Sequence, residues 1–128
     1  PDIDLETCET VPRLKLSDNA ELPLRLRWLA ILRDQVKMDL ACSGGVHSAE
    51  DAIKAVMTGA DCVQLVSVVL RNGPGCLPGL IKALREWMET NEYESLEEMK
   101  GSLSYRKTPH PEAIERANYL KILQTWKP

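Results

Sequence analysis

Two adjacent glycines, Gly44 and Gly45, close one apolar run and lead into a stretch with helical spacing. Positions without side chains tolerate positive φ and leave backbone N–H groups uncovered. Close to a helix N-terminus, such groups suit an anion, above all a phosphate. Ser43 stands just before the pair, and a second apolar run, 61–70, carries Val66 and Ser67 towards its far end. Two serine hydroxyls can therefore add to the backbone donors. A Gly-Gly after a strand is also the composition of a plain tight turn, and both readings stay open on these residues alone.

The remaining chemistry-bearing residues are scattered. His47 follows the glycines, where a solvated loop histidine is the simpler expectation over a ligand contact. Gln64 lies inside an apolar run and needs a hydrogen-bond partner, or it points into a barrel. His110 sits between prolines with no neighbour in sequence to work with. Cys8, Cys42, Cys62 and Cys76 are widely spaced and form no CxxC pair, so no metal site is expected. Cys42 and Cys62, inside apolar runs, should pack as small hydrophobes. No catalytic residue is assigned.

The elements that must hold the glycines read as follows. Residues 1–12 are irregular. "RLKLS" (13–17) and "ELPLRL" (21–26) alternate around the turn 18–20 and suggest a β-hairpin, with Pro23 restricting the second arm to an edge or a helix start. Helical spacing then runs to Arg33, with Leu24, Trp28, Ile31 and Leu32 on one face. A strand over 36–43 ends at Gly44. A helix over 48–59 has Ser48 as N-cap, Asp51 in a capping box and Gly59 as its stop, with Ala52, Ile53, Val56 and Met57 as the buried stripe. Residues 61–70 read as a strand buried on both faces, as parallel strands are. After the Gly/Pro break at 72–79 come helices over 80–91 and 95–101, and a last one over 111–126. This is the βα rhythm of a parallel sheet. In (β/α)8 barrels the loops after the seventh and eighth strands form a frequent phosphate site, and the spacing of "SGG" and "GADCVQL" suits such a pair.

The 128 residues suffice for one domain. Phenylalanine is absent, so the core must be aliphatic. A net charge of −3 with both signs dispersed gives no basic block for nucleic acid and no polybasic helix for a membrane surface. The cysteine usage points to a reducing, cytoplasmic setting. The polar opening "PDIDLE" without a leading methionine suggests a cut through a longer protein.

"ACSGGVHSAEDAIKAVMTGADCVQLVSVVLRNGP" (41–74) resembles the last two βα units of dihydroorotate dehydrogenases, which are FMN-dependent (β/α)8 barrels. "NEYESLEEMKGSLS" (91–104) resembles the tail of the same family, and "PDIDLET" resembles a bacterial dihydroorotate dehydrogenase-like branch. The resemblance implies that Gly44 and Gly45 hold the FMN phosphate after strand seven. It implies that Val66 and Ser67 match a Gly-Thr-like pair in strand eight, with Val66 departing from the usual glycine and narrowing the space beside its N–H. The implied parent reaction oxidises dihydroorotate to orotate in pyrimidine biosynthesis. A base takes a proton from C5 while hydride passes from C6 to the flavin. The base, lysine and asparagines of that reaction lie on earlier strands and match nothing here.

The expectation is therefore an α/β chain forming the C-terminal fragment of a (β/α)8 TIM barrel. It would hold the last two βα units, a hairpin and C-terminal helices, as one domain (1–128) with a helical extension over 105–128. A complete barrel takes ~250 residues. The fragment would anchor FMN through Ser43, Gly44, Gly45, Val66 and Ser67, with FMN as cofactor, and be inactive alone. Two alternatives remain: another FMN- or sugar-phosphate-binding barrel enzyme, or a non-catalytic half-barrel that self-associates through exposed strand edges.

Overall fold

A computed structural model describes residues 2–115. Two short sheets and six helices follow in order. β1 (Asp2–Asp4) and β2 (Glu9–Val11) form an antiparallel hairpin. A 3-10 turn (Asn19–Glu21) leads into α1 (Leu22–Leu32). Then come β3 (Ala41–Ser43), α2 (Ala49–Thr58), β4 (Cys62–Gln64) and α3 (Val66–Asn72). The chain goes on through α4 (Leu77–Thr90), α5 (Leu96–Met99) and α6 (Pro111–Glu115). It is a small mixed α/β unit.

β3 and β4 pair in parallel, Ala41 with Cys62, Cys42 with Val63 and Ser43 with Gln64. α2 makes the crossover. Its start and stop follow the sequence closely. The Ser48 hydroxyl accepts from the Asp51 N–H, the Asp51 carboxylate accepts back from the Ser48 N–H, and Gly59 ends the helix at φ 127°. A Cβ on Gly59 would come within 2.7 Å of the Arg33 side chain, so its glycine is needed twice over. The core lies on one face of the β3–β4 sheet, where Leu22 and Leu29 of α1 meet Cys42, Val46, Ala55 and Ala60.

The opposite face carries Ala41, Ser43, Cys62 and Gln64, all exposed. Among the described residues, neither outer edge of this sheet pairs with another strand. Gln64 thus points to open space, and Cys62 is exposed where an apolar environment was expected.

Several expectations are corrected. The hairpin over 13–26 does not form. Its alternation buries no face: Leu14 is 84% exposed, and 21–26 belongs to the start of α1. The hairpin present lies in the segment read as irregular, where Arg13 bridges back to Asp2 at 2.6 Å. The strand expected over 36–43 begins only at Ala41, because α1 runs on into turns in which Gln35 and Val36 N–H groups bond to Leu32 O. The strand expected over 61–70 ends at Gln64. A short Val/Leu run does not discriminate strand from helix by period, and here Val66 and Ser67 open α3. On α1, Leu24 and Trp28 are exposed while Leu22, Leu29 and Ala30 are buried, so the buried stripe is rotated from the one read. α4 keeps its expected face, with Leu80, Leu84, Trp87 and Met88 half-buried. Of the last helix, 111–115 is present, and the remainder of that expectation lies outside the described residues.

Candidate functional site

The chain leaves β3 at Ser43 and passes through Gly44 at φ 84° and Gly45 at φ 80°. Two successive left-handed residues are accessible to glycine and strained for others. Space reinforces the choice. A Cβ on Gly45 would sit 2.7 Å from the backbone N of Leu22, and one on Gly44 would sit 2.8 Å from Nη2 of Arg25. The loop is therefore pressed against the first turns of α1. Arg25 lies across it. Its Nε donates to the Ser43 carbonyl, Nη1 donates to the Glu21 carbonyl at 2.7 Å, and Nη2 pairs with the Glu21 carboxylate at 2.8 Å.

The second half of the site begins one strand away. Because Ser43 pairs with Gln64 in a parallel sheet, both strands end at the same edge. The chain then crosses Leu65 and enters α3, whose N-cap gives no side-chain hydrogen bond. Helix-opening N–H groups have no intrahelical partner, and those of Val66 and Ser67 belong to this set. Val66 is 62% exposed, so its side chain stands out of the packing. Ser67 is tied to the segment before α1: its Oγ accepts from the Ser17 N–H at 3.1 Å and lies 2.9 Å from the Ser17 hydroxyl.

Behind the glycines, Asp51 is almost fully buried and works for the backbone. One of its oxygens accepts from Asn19 Nδ2 at 2.6 Å, from the His47 N–H at 3.0 Å and from the Ser48 N–H at 3.1 Å. This ties the loop after β3 to the turn before α1. His47 is half-buried, and its Nε2 has no hydrogen-bond partner. The Cys42 thiol beneath the loop is pushed up by burial, an effect that Arg25 partly offsets. Among the described residues no cluster of metal-ligating side chains occurs. No described helix is long and apolar enough to cross a membrane.

The opposite end of the sheet is a brace. Asp61 accepts from the Leu40 N–H at 2.9 Å and pairs with Arg33 at 2.8 Å and Lys100 at 3.0 Å. The segment 101–105 then crosses the C-terminal ends of α1 and α2. Gly101 N–H donates to Val56 O, Leu103 N–H to Met57 O and Tyr105 N–H to Ala30 O. The tail singled out in the sequence is thus a structural strap, at the other end of the strands from the glycines.

Of the five candidates, Ser43, Gly44 and Gly45 form one continuous loop, and Val66 and Ser67 stand at the start of the neighbouring helix. Sequence reading missed Arg25, Ser17 and Asn19. For Arg25 a signal existed, since Glu21 and Arg25 are spaced i,i+4 on a helix. For Ser17, 50 residues from Ser67, there was none.

No family model matches the chain. Similarity to individual proteins is clear. The catalytic subunit of dihydroorotate dehydrogenase B (NAD(+)) from Thermoplasma volcanium is 29% identical over 86 residues, 67% of this chain and 29% of that protein. The protein of the same name from Shouchella clausii is 30% identical over 86 residues, 67% of this chain and 28% of that protein. Dihydroorotate dehydrogenase (quinone) from Rhizobium johnstonii is 35% identical over 74 residues, 56% of this chain and 20% of that protein. The chain is dihydroorotate dehydrogenase-like over half to two thirds of its length, and it spans less than a third of the relatives it matches.

Proposed function

We propose that this chain supplies the cofactor-phosphate end of an FMN-dependent oxidoreductase of the dihydroorotate dehydrogenase type, acting in pyrimidine biosynthesis. β3 and β4 are read as the seventh and eighth strands of a (β/α)8 barrel. The observation that carries the reading is the pair of adjoining strand ends. Each is followed by backbone that can offer N–H groups at the same end of the sheet: the left-handed Gly44–Gly45 loop after β3, packed on α1, and the opening turn of α3 at Val66 and Ser67 after β4. Phosphate sites of this kind are frequent in such barrels. The uncovered sheet face and edges supply the second support, since parallel sheets are ordinarily covered on both sides.

The residues present fit a phosphate. Glycines at positive φ bring no side chain of their own over the loop, the Ser67 hydroxyl lies at the neighbouring strand end, and Arg25, paired with Glu21, lies beside the loop. In this reading Ser43, Gly44, Gly45, Val66 and Ser67 bind the FMN phosphate. FMN, when bound, accepts the hydride in the oxidation of a dihydropyrimidine. The base for the accompanying proton transfer has no match among these residues, so the chain alone is inactive.

Titration with FMN and with inorganic phosphate, followed by Trp28 and Trp87 fluorescence and thermal midpoint, tests the site. A saturable response to both is expected. No response at millimolar ligand overturns the phosphate reading. In a longer protein containing this chain, bleaching of bound flavin by dihydroorotate tests the substrate, and a flavin that stays oxidised overturns it.

A second reading rests on a different observation. An open groove of about 420 Å³ runs between α1 and β3, lined by Leu24, Trp28, Leu32, Leu40 and Ala41. Together with the bare sheet face it makes a surface through which a non-catalytic half-barrel would self-associate.

A further inference from the structure

We infer that Arg25 is the positioning residue of the glycine loop, setting the direction of the backbone donors that the anion meets. The inference rests on the phosphate reading above and adds a residue to it. Glycine backbones are permissive, so two in succession do not hold one geometry by themselves. Something outside them must. The Ser43 carbonyl belongs to the peptide unit that leads into Gly44, and that unit is planar. A donor fixed on the carbonyl therefore fixes the plane and the chain direction entering the loop. Arg25 Nε is that donor.

The guanidinium is itself held. The preceding helical turn grips it twice, through the Glu21 carbonyl at 2.7 Å and the Glu21 carboxylate at 2.8 Å. A planar fork can satisfy three acceptors in fixed directions, which a lysine ammonium on a flexible stem does not reproduce. The residue choices at 25 and 44 are coupled as well. A Cβ at 44 would lie 2.8 Å from Nη2 and 3.0 Å from Nε, so only glycine lets the fork lie against the loop. Arg25 thus acts through Ser43 and Gly44, with Glu21 as its anchor.

The test uses the whole chain, isotope-labelled, as wild type, Arg25→Lys and Arg25→Ala. Binding of inorganic phosphate and FMN is read by titration, and the Gly44 and Gly45 amide resonances are read before any ligand is added. Arg25→Lys is expected to weaken phosphate binding about tenfold. It should displace or broaden the Gly44 and Gly45 amides, leave Gly73 and Gly101 in place, and shift the thermal midpoint little. Ethylguanidinium should restore the two amides and the affinity in Arg25→Ala. If the alanine variant does not fold, the lysine variant carries the test. Wild-type affinity with unmoved Gly44 and Gly45 amides in Arg25→Lys overturns the inference. So does weakened binding with those amides unmoved, since the guanidinium would then meet the anion directly and not act through the loop. A wild-type chain that binds neither probe is the separate failure of the phosphate reading, seen before any variant is compared.

Discussion

At the scale of single residues, the two glycines differ in what stands behind them. A Cβ at 45 meets the Leu22 backbone, which cannot swing aside, whereas a Cβ at 44 meets a flexible arginine end. Gly45→Ala should therefore cost about 2–4 kcal/mol, from a left-handed alanine and a displaced helix start, measured by urea unfolding. Gly44→Ala should cost less stability and more affinity, because Arg25 leaves the Ser43 carbonyl to make room. Equal stability losses in the two variants would contradict this. The Asp61 carboxyl gives a pH prediction. Burial raises it, but the Leu40 N–H, Lys100 and Arg33 outweigh burial and hold it down at about 2. A folded-state value below the unfolded one means stability that is present at neutral pH and lost as pH falls. Against an ordinary value of 3.8 the difference is about 2 kcal/mol, lost between about pH 5 and 2. Asp61→Asn should remove it at pH 7 and flatten the acid limb of the stability curve. An unchanged acid limb would show that the ion pairs do not form in solution. Glu97 first, and then Asp61, raise Lys100, and that contribution persists until strongly alkaline pH.

At the scale of elements, legibility followed locality. The two ends of α2 were readable because their signals are local, the Ser48 and Asp51 box and a glycine stop. The stripe expected at Ala52, Ile53, Val56 and Met57 is only partly right: Ile53 is buried, the other three are half-buried, and Ala49 and Ala55 are the further buried apolar positions. Ser48→Ala should cost about 1 kcal/mol, checked by thermal or urea unfolding, and a neutral result would mean that the box is replaced by water. The face of α4 was readable for the same reason. The strands were not. β3 and β4 are three residues each, and their ends are set by where the neighbouring strand and helix stop, which no local pattern states. The alternation in 13–17 suggested a strand, yet Ser17 serves as a clasp on Ser67 across 50 residues. The glycine loop was legible as a place, while its cause was only half legible. The φ angles follow from composition, but the pressure of Leu22 and Arg25 against the loop is tertiary. The buried Asp51 follows the same logic. It was readable as a cap, and its bond to Asn19 was not.

At the scale of the whole chain, the exposed sheet face and the Leu24–Trp28 groove leave apolar surface in water, with Leu24 59% and Trp28 52% exposed. Sedimentation of the isolated chain should show concentration-dependent association that Leu24→Glu weakens. A monomer at all concentrations would count against it. The strap over 101–105 has a further consequence, in the order of events during synthesis. Ala30 O near the end of α1 and Met57 O near the end of α2 gain the strap's N–H donors only when Tyr105 and Leu103 have emerged, and Val56 O, which already accepts from the Gly59 N–H, gains a second donor from Gly101. Met99 and Ser104, both fully buried, arrive with them. Val56 leaves the ribosome about 45 residues before Gly101, a wait of several seconds at about 5–20 residues per second. Through that interval the first helices stand open to proteases and to pairing with other nascent chains, and closure arrives as a late, long-range step.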